Sequence, residues 1–521
     1  MRRAATGCRR LAPWAGWIVA LLLPVHLAVA SPTAFSWLDA DGRPSASARD
    51  ALHLLSDAAT DGLSASDYRA AELSEQASRL RTAAEPVDAS RATFDRDLDG
   101  AMQRYLRDLR FGRIDPRSVG FRIARQHAAA TDFTLALHAD AAEQRLPALV
   151  AELRPRLGQY DKLRDALARY RALDAEGAFV QLAIATPVKP GDALNAVAAL
   201  HHRLVALGDL PEQAVLAGGL YDAVLAQGVR RFQARHGLSA DGVIGRSTLQ
   251  ALNVAPARHV QQLELALERL RWLPDLADGR FIGINIPMFR LWAWDAAQPG
   301  AEPVSMSVVV GKALNTRTPV LSDEMRYLIF RPYWNVPRSI LVKELLPAIA
   351  RDPGYLQRND MEIVRGGGDD ARPVAAGSDS LALLRQGALR VRQRPGPKNS
   401  LGLVKFIFPN DDNVYLHGTP AQQLFGQARR DFSHGCVRLE DPVALAQWVL
   451  NDGMQWPRER IEQAMAGLAS LRVNLARPIP VILFYMTAMV TPADQSLHFA
   501  PDIYGHDAAL ARALAARQPA P

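Results

Sequence analysis

Apolar residues recur three and four positions apart through the first third of the chain, as in Leu146, Leu149 and Leu153, or Tyr160, Leu163, Leu167 and Tyr170. That period puts one apolar stripe on each helix, so residues 31–185 read as a mostly helical scaffold domain. A second helical unit is expected at 186–255. Val229 and Phe232 share a face of one helix that Gly237 should stop, the turn Asp241-Gly242-Val243-Ile244-Gly245 follows, and Leu249 and Leu252 direct a second helix inward. The pattern then changes. Short runs at 281–286, 305–310, 326–330, 389–393, 404–408, 414–417 and 481–485 are rich in apolar residues, several of them alternate, and Gly, Pro, Asn or Asp often bounds them. They predict a mainly antiparallel β domain over 275–490. One helix should begin at Asp441-Pro442, with Asp as its cap and Pro in its first turn. A helical capping insert at about 337–380 interrupts the strands, with a helix near 342–350 and a Gly-rich loop at 366–370. A C-terminal extension at 491–521 offers a strand at 497–500 and an Ala/Leu helix ending in Gln-Pro-Ala-Pro. The fold class is α+β, multidomain.

The chain begins differently. Arg2, Arg3, Arg9 and Arg10 precede an apolar run at 11–30 that ends in Ala28-Val29-Ala30, the three-part pattern of a secretory signal peptide at 1–30. Export to the periplasm is expected, with an inner-membrane anchor as the outcome if the segment is not cleaved. This run alone approaches the length of a membrane span, so a multi-pass protein is excluded. The whole chain of 521 residues carries 61 basic and 54 acidic side chains. Without its leader the balance falls to 57 against 54. So small an excess is not the dense basic surface of a nucleic-acid binder, and no nucleic acid is expected as a partner.

Cleavage would also remove Cys8 and leave Cys436 as the one cysteine. A lone thiol in an oxidising compartment is either buried and inert or kept for its reactivity. Its surroundings favour reactivity: Tyr415-Leu416-His417-Gly418-Thr419-Pro420, then Phe432-Ser433-His434-Gly435-Cys436-Val437-Arg438-Leu439. A thiol becomes nucleophilic near neutral pH beside a base or a cation. His417 ends a β run and can be held opposite the cysteine turn. Gly435 relieves crowding around the thiol, and Arg438 supplies a fixed cation suited to a substrate carboxylate or to lowering the thiol pKa. His434-Gly435-Cys436 is poorly spaced for a closed zinc site, so no metal and no cofactor are expected. His127 and His138 stand apart from any such cluster and read as structural or surface residues. The Gly-rich loop has neither the preceding strand nor the Lys-Ser/Thr of a nucleotide site.

Ser-His-Gly-Cys-Val-Arg, with His-Gly nineteen residues before the cysteine, resembles the signature of the L,D-transpeptidase catalytic domain (YkuD type). The order of regions is similar to that of the large, YcbB-like members. Arg271-Trp272-Leu273-Pro274, Thr318-Pro319-Val320, Pro332-Tyr333-Trp334-Asn335-Val336-Pro337 and Pro501-Asp502-Ile503-Tyr504-Gly505 extend the likeness, and 186–255 resembles the three-helix peptidoglycan-binding-like domain. The resemblance implies an enzyme that forms 3-3 cross-links between peptidoglycan stem peptides, one as donor and one as acceptor. Cys436 would be the nucleophile and His417 the base, oriented by the Gly418 carbonyl. The N–H groups of Gly435 and Cys436, with Tyr415, would bind the oxyanion. Ser433, His434, Arg438 and Trp334 would contact substrate or shape its site. It also implies carbapenem-type inhibitors and cell-wall synthases as partners. The alternatives are an L,D-carboxypeptidase, attachment of a lipoprotein to peptidoglycan on the same site, and a non-catalytic wall-binding scaffold.

Overall fold

The helical spacing of the scaffold is realised in the helices Ala46–Ser56, Ala70–Thr82, Asp88–Phe111, Thr134–Ala142, Leu146–Leu153 and Gly158–Ala175. The last buries Tyr160, Leu163, Leu167 and Tyr170, the stripe that the period marks out. This computed structural model describes residues 35–517 apart from 84–86, 124–130, 178, 215–217, 275, 277–278, 297, 299, 315, 369–370, 378 and 451–454. The leader at 1–30 with Cys8, His127, residues 369–370 of the Gly-rich loop and the terminal Gln-Pro-Ala-Pro lie outside the described residues.

The small module is three helices, Val197–Leu207, Ala223–Arg235 and Arg246–Leu252. The Asp222 carboxylate caps the middle helix by accepting the Leu225 N–H at 2.9 Å. The helix Pro256–Leu270 then leads to the β domain, burying Leu263, Ala266, Leu267 and Leu270 on the side of the scaffold and module and Leu265 in the β core.

The β domain holds β1 (Arg280–Asn285), β2 (Arg290–Asp295), β3 (Val304–Gly311), β4 (Leu321–Phe330), β5 (Trp334–Asn335), β6 (Met361–Arg365), β7 (Arg372–Pro373), β8 (Arg390–Gln393), β9 (Val404–Ile407), β10 (Leu416–His417), β11 (Asp431–Ser433), β12 (Val437–Leu439) and β13 (Leu471–Phe484). The extension adds β14 (Ala488–Val490), paired with β15 (Leu497–Phe499). The main sheet runs β11-β3-β12-β10-β9-β4-β13-β1-β2, and β3 also pairs with β2, so the ladder closes on itself. Antiparallel pairs dominate, with β1–β13, β10–β12 and β11–β3 parallel. Alternate residues such as Ile282, Ile284, Val308, Val310, Leu328, Phe406, Leu416, Val437 and Leu483 fill the interior as one cluster. On the outer face Trp292, Ile482 and Phe484 pack with the scaffold and module instead. That covers the β13-β1-β2 side and leaves β9, β10 and β12 on the other side of the ring. The helix Pro442–Leu450 begins at the proline, with Asp441 accepting the Ala444 N–H at 2.9 Å.

Two features depart from the sequence pattern. The capping insert carries helices, but it is also organised by its own sheet, ordered β5-β8-β6-β7, which extends it from 334 to 393. Met361 and Ile363 are buried on one side of β6, in the same apolar cluster as Leu341, Leu345 and Leu384. Secondly, β13 is far longer than the run at 481–485. Pro478 and Pro480 mask its first half, and the register shifts between Asn474 and Ile479, the kind of irregularity that accommodates proline.

Candidate active site

Strand β10 is two residues long, and its register sets the site. Leu416 lies opposite Phe406 and Val437 and points into the barrel core. His417 therefore points away from the core, with Lys405 opposite it on one side and Arg438 on the other. Burial, and then the Arg438 and Lys405 charges, push its imidazole down to about 3. Its Nδ1 lies 2.5 Å from the Gly418 carbonyl, which accepts the ring proton there and leaves the lone pair on Nε2. Gly402 makes room for this turn: its φ is +65°, and a Cβ there would come within 2.6 Å of the Gly418 backbone.

The turn from β11 to β12 carries the thiol. The Ser433 hydroxyl accepts the Gly435 N–H at 3.1 Å and donates to the Cys436 carbonyl at 2.5 Å, closing the loop on itself. Gly435 has φ +117°, a conformation that residues with a Cβ rarely adopt. Its carbonyl accepts the Thr318 hydroxyl at 2.7 Å, and the same hydroxyl accepts the Gly311 N–H at 2.8 Å. Thr316 adds a bond from its hydroxyl to the Ser433 carbonyl at 3.0 Å. Behind them, the Tyr504 hydroxyl accepts the Thr318 N–H at 3.3 Å and donates to the Gly311 carbonyl at 2.5 Å. The C-terminal extension thus braces the loop that holds the thiol.

Cys436 is partly buried. Its S–H points to the Asn413 carbonyl at 3.8 Å, and Tyr415 is close enough to favour the thiolate. The Tyr415 ring stands 5.6 Å from that of His417, with the Lys405 ammonium 3.8 Å from its centre. Arg438 is half-buried, and its Nε has no hydrogen-bond partner among the described residues.

Four sequence expectations change on this geometry. Arg438, Lys405 and Tyr415 all pull the thiol pKa down, yet burial outweighs them and the thiol ends above its ordinary range, so it rests protonated. Among the described residues no hydrogen bond joins the sulfur to the His417 ring; its S–H is turned to the Asn413 carbonyl. The Gly435 N–H is engaged by Ser433 and is not free for an oxyanion; the Cys436 N–H, with no backbone partner among the described residues, and the Tyr415 hydroxyl are the donors that remain. His434 turns outward, its Nε2 2.7 Å from Glu344 of the capping insert. Trp334, on β5, is partly buried against the cluster inside that insert. Thr318, Asn413, Lys405 and Glu344 were not singled out from sequence; Thr318 alone lay within a quoted motif.

A protonated thiol beside a neutral imidazole has a measurable signature. Alkylation of Cys436 by iodoacetamide should climb through pH 9 and beyond. A plateau near pH 7 would instead show a thiolate–imidazolium pair.

Residues 279–467 match the L,D-transpeptidase catalytic domain (YkuD), residues 33–167 the scaffold domain, and residues 194–252 the "Putative peptidoglycan binding domain". A curated "Putative L,D-transpeptidase" of Haemophilus influenzae is 30% identical over 275 residues, which cover 52% of this chain and 54% of the relative. The chain thus spans about half the length of the curated relative it matches. The crystal structure of an L,D-transpeptidase from Xylanimonas cellulosilytica aligns at 16% identity over 58% of this chain and 98% of that one, with a TM-score of 0.19, too low to bear on the fold. Cys436 and His417 therefore lie within the region that matches the L,D-transpeptidase catalytic domain, in one chain with regions that match a scaffold domain and a putative peptidoglycan binding domain.

Proposed function

We propose that this chain is a peptidoglycan L,D-transpeptidase that makes 3-3 cross-links through a Cys436 acyl-enzyme. The observation that carries this reading is a partly buried thiol immediately before β12, the strand that pairs with β10 and its His417, whose Nδ1 is held by the Gly418 carbonyl and whose Nε2 is left to act as a base. In the first step the sulfur turns from Asn413 to His417, Nε2 takes its proton, and the sulfur attacks the carbonyl of the third-position diamino acid of a tetrapeptide stem. The Cys436 N–H and the Tyr415 hydroxyl hold the oxyanion; one such donor is typically worth about 100- to 1000-fold in rate. Collapse breaks the peptide bond, and the imidazolium gives its proton to the leaving D-Ala amine. In the second step the side-chain amine of another stem attacks the thioester, loses a proton to His417, and the thiol is restored.

Arg438 gives the donor a place and the base a reason to wait. Its guanidinium, whose Nε has no partner among the described residues, suits the terminal carboxylate of the stem. Until that carboxylate arrives, the Arg438 charge depresses His417; pairing with it relieves the depression and makes Nε2 a better base. The signal-like sequence at 1–30 supports a periplasmic setting, with cell-wall synthases as the proposed partners, and a carbapenem is expected to acylate Cys436.

Incubation with purified tetrapeptide muropeptides, read by product mass, tests the proposal. A dimer lacking one D-Ala is the expected product. A monomeric tripeptide alone would mean an L,D-carboxypeptidase, and unchanged tetrapeptide would leave only a wall-binding scaffold.

A further inference from the structure

The edge of β3 is shared between two strands. β2 covers its first half, with Arg290 opposite Ser307, and β11 covers its end, with the Val310 N–H donating to the Arg430 carbonyl at 2.9 Å. The last turn before β11 and the first residue of β2 meet at that junction and bring two arginines together. Arg430 donates to the Phe289 carbonyl at 3.2 Å and to the Gln427 carbonyl at 2.6 Å, and its Nε is buried with no partner among the described residues. Arg290 reaches the Ser307 hydroxyl at 3.4 Å. Arg430 is depressed first by burial and then by Arg290, and Glu440 offsets this only in part.

The nearby carboxylates are committed elsewhere. Asp431 pairs with Arg429 at 2.6 Å, Asp494 is bonded to Ser496, Thr491 and His498, and Glu440 accepts the Ser307 N–H at 2.8 Å. Neither Arg290 nor Arg430 has a carboxylate partner among the described residues. Both line a cleft of about 620 Å³ whose other walls include Gly237 and Ser247 of the module, Trp292 of the barrel and Phe499 of the extension. A half-buried cation pair with unfilled donors calls for an anion. The size of the cleft and its aromatic wall call for that anion to carry an apolar or sugar-peptide body.

We propose that this cleft, between the peptidoglycan-binding module and the barrel, is a second peptidoglycan contact, and that Arg290 and Arg430 bind stem-peptide carboxylates there. The proposal rests on the cell-wall reading above and adds the place where the polymer is held. Arg430 is six residues before Cys436 and immediately precedes β11, the strand that enters the nucleophile loop, so a wall strand seated here lies beside the segment that does the chemistry.

Co-sedimentation of the full chain with purified sacculi tests it. An Arg290→Gln/Arg430→Gln double variant should bind about tenfold more weakly than wild type. Wild type should lose the same binding when sacculus carboxyls are amidated. Equal binding by wild type and variant, or indifference to amidation, overturns the proposal, and displacement of wild type by millimolar inorganic phosphate would reassign the pair to a small-anion site. Arg430 also bonds backbone carbonyls, so Arg290→Gln alone, with unchanged thermal unfolding, is the second variant and should show a smaller loss in the same direction. Acylation of Cys436 by a soluble tetrapeptide is followed in the same samples. Intact acylation with lost sacculus binding supports the second contact, whereas absent acylation in wild type sinks the transpeptidase reading and leaves the binding result to stand by itself.

Discussion

In a Cys436→Ala variant no acyl-enzyme and no transfer are expected at any pH, while a His417→Ala variant should keep about one part in 100 to 10,000 of the wild-type rate. The difference follows from what each side chain supplies. Without the sulfur there is no bond to form. Without the ring, the thiol must lose its proton to solvent, and burial holds that thiol above its ordinary range. The thiolate is then a small minority at pH 7, so the residual rate of His417→Ala should rise about tenfold per pH unit into the alkaline range. Wild type should behave differently at the acid end. An imidazole pushed down to about 3 stays neutral, and so remains a base, well below pH 6. Single-turnover acylation by wild type should therefore hold up as pH falls through 6.5, where an unperturbed histidine would have been lost. A wild-type rate that titrates away near 6.5, or a His417→Ala variant as fast as wild type, would show that another group takes the proton.

Which parts of this were legible in the sequence depends on whether the signal was local. The loop that carries the thiol was, as a cluster, because Ser433, Gly435, Cys436 and Arg438 sit within six residues. The helical stripes were too, because Tyr160, Leu163, Leu167 and Tyr170 carry the period by themselves. What escaped is set by pairing between distant strands. Lys405 and Arg438 flank His417 only because β9 and β12 both register against β10, and no spacing along the chain shows that. Thr318 reaches Gly435 across 117 positions, and Tyr504 reaches Gly311 across 193. The state of the thiol escaped for another reason. Sequence shows the cations that lower its pKa but not the burial that raises it, and burial is the larger effect here. Strand β2 was hidden by Leu291-Trp292-Ala293-Trp294, apolar on both faces because one face fills the barrel and the other meets the scaffold and module.

Glu268→Ala is expected to destabilise the protein by about 3–5 kcal/mol, the range for stranding a buried charge. Its side chain is fully buried, and its carboxylate accepts four bonds: from the N–H groups of Arg113 and Ile114 at 2.5 and 3.0 Å, and from the Arg113 and Arg271 guanidiniums at 3.3 Å each. Arg271, itself buried, also donates to the Tyr160 hydroxyl at 2.8 Å and to the Asp61 carbonyl. Truncation leaves that guanidinium without its carboxylate partner and two backbone N–H groups unpaired, at the point where the scaffold meets the helix that leads into the barrel. Glu268→Gln should cost less, since an amide oxygen can still accept the two N–H groups. Burial pushes Glu268 up, but Arg113, Arg271 and those N–H groups outweigh it and hold the carboxyl below its usual range. Its contribution is therefore complete above the unfolded value of about 4.3 and fades as pH falls through the lower folded value, so the gap between wild type and variant should narrow only under strongly acid conditions. Urea unfolding followed by tryptophan fluorescence at pH 7 and pH 3 measures both quantities. A variant as stable as wild type at pH 7 would mean that water reaches the site and solvates Arg271. Because the network braces the scaffold and not the thiol loop, the folded fraction of Glu268→Ala should alkylate at Cys436 with the wild-type pH profile, which separates loss of fold from loss of chemistry.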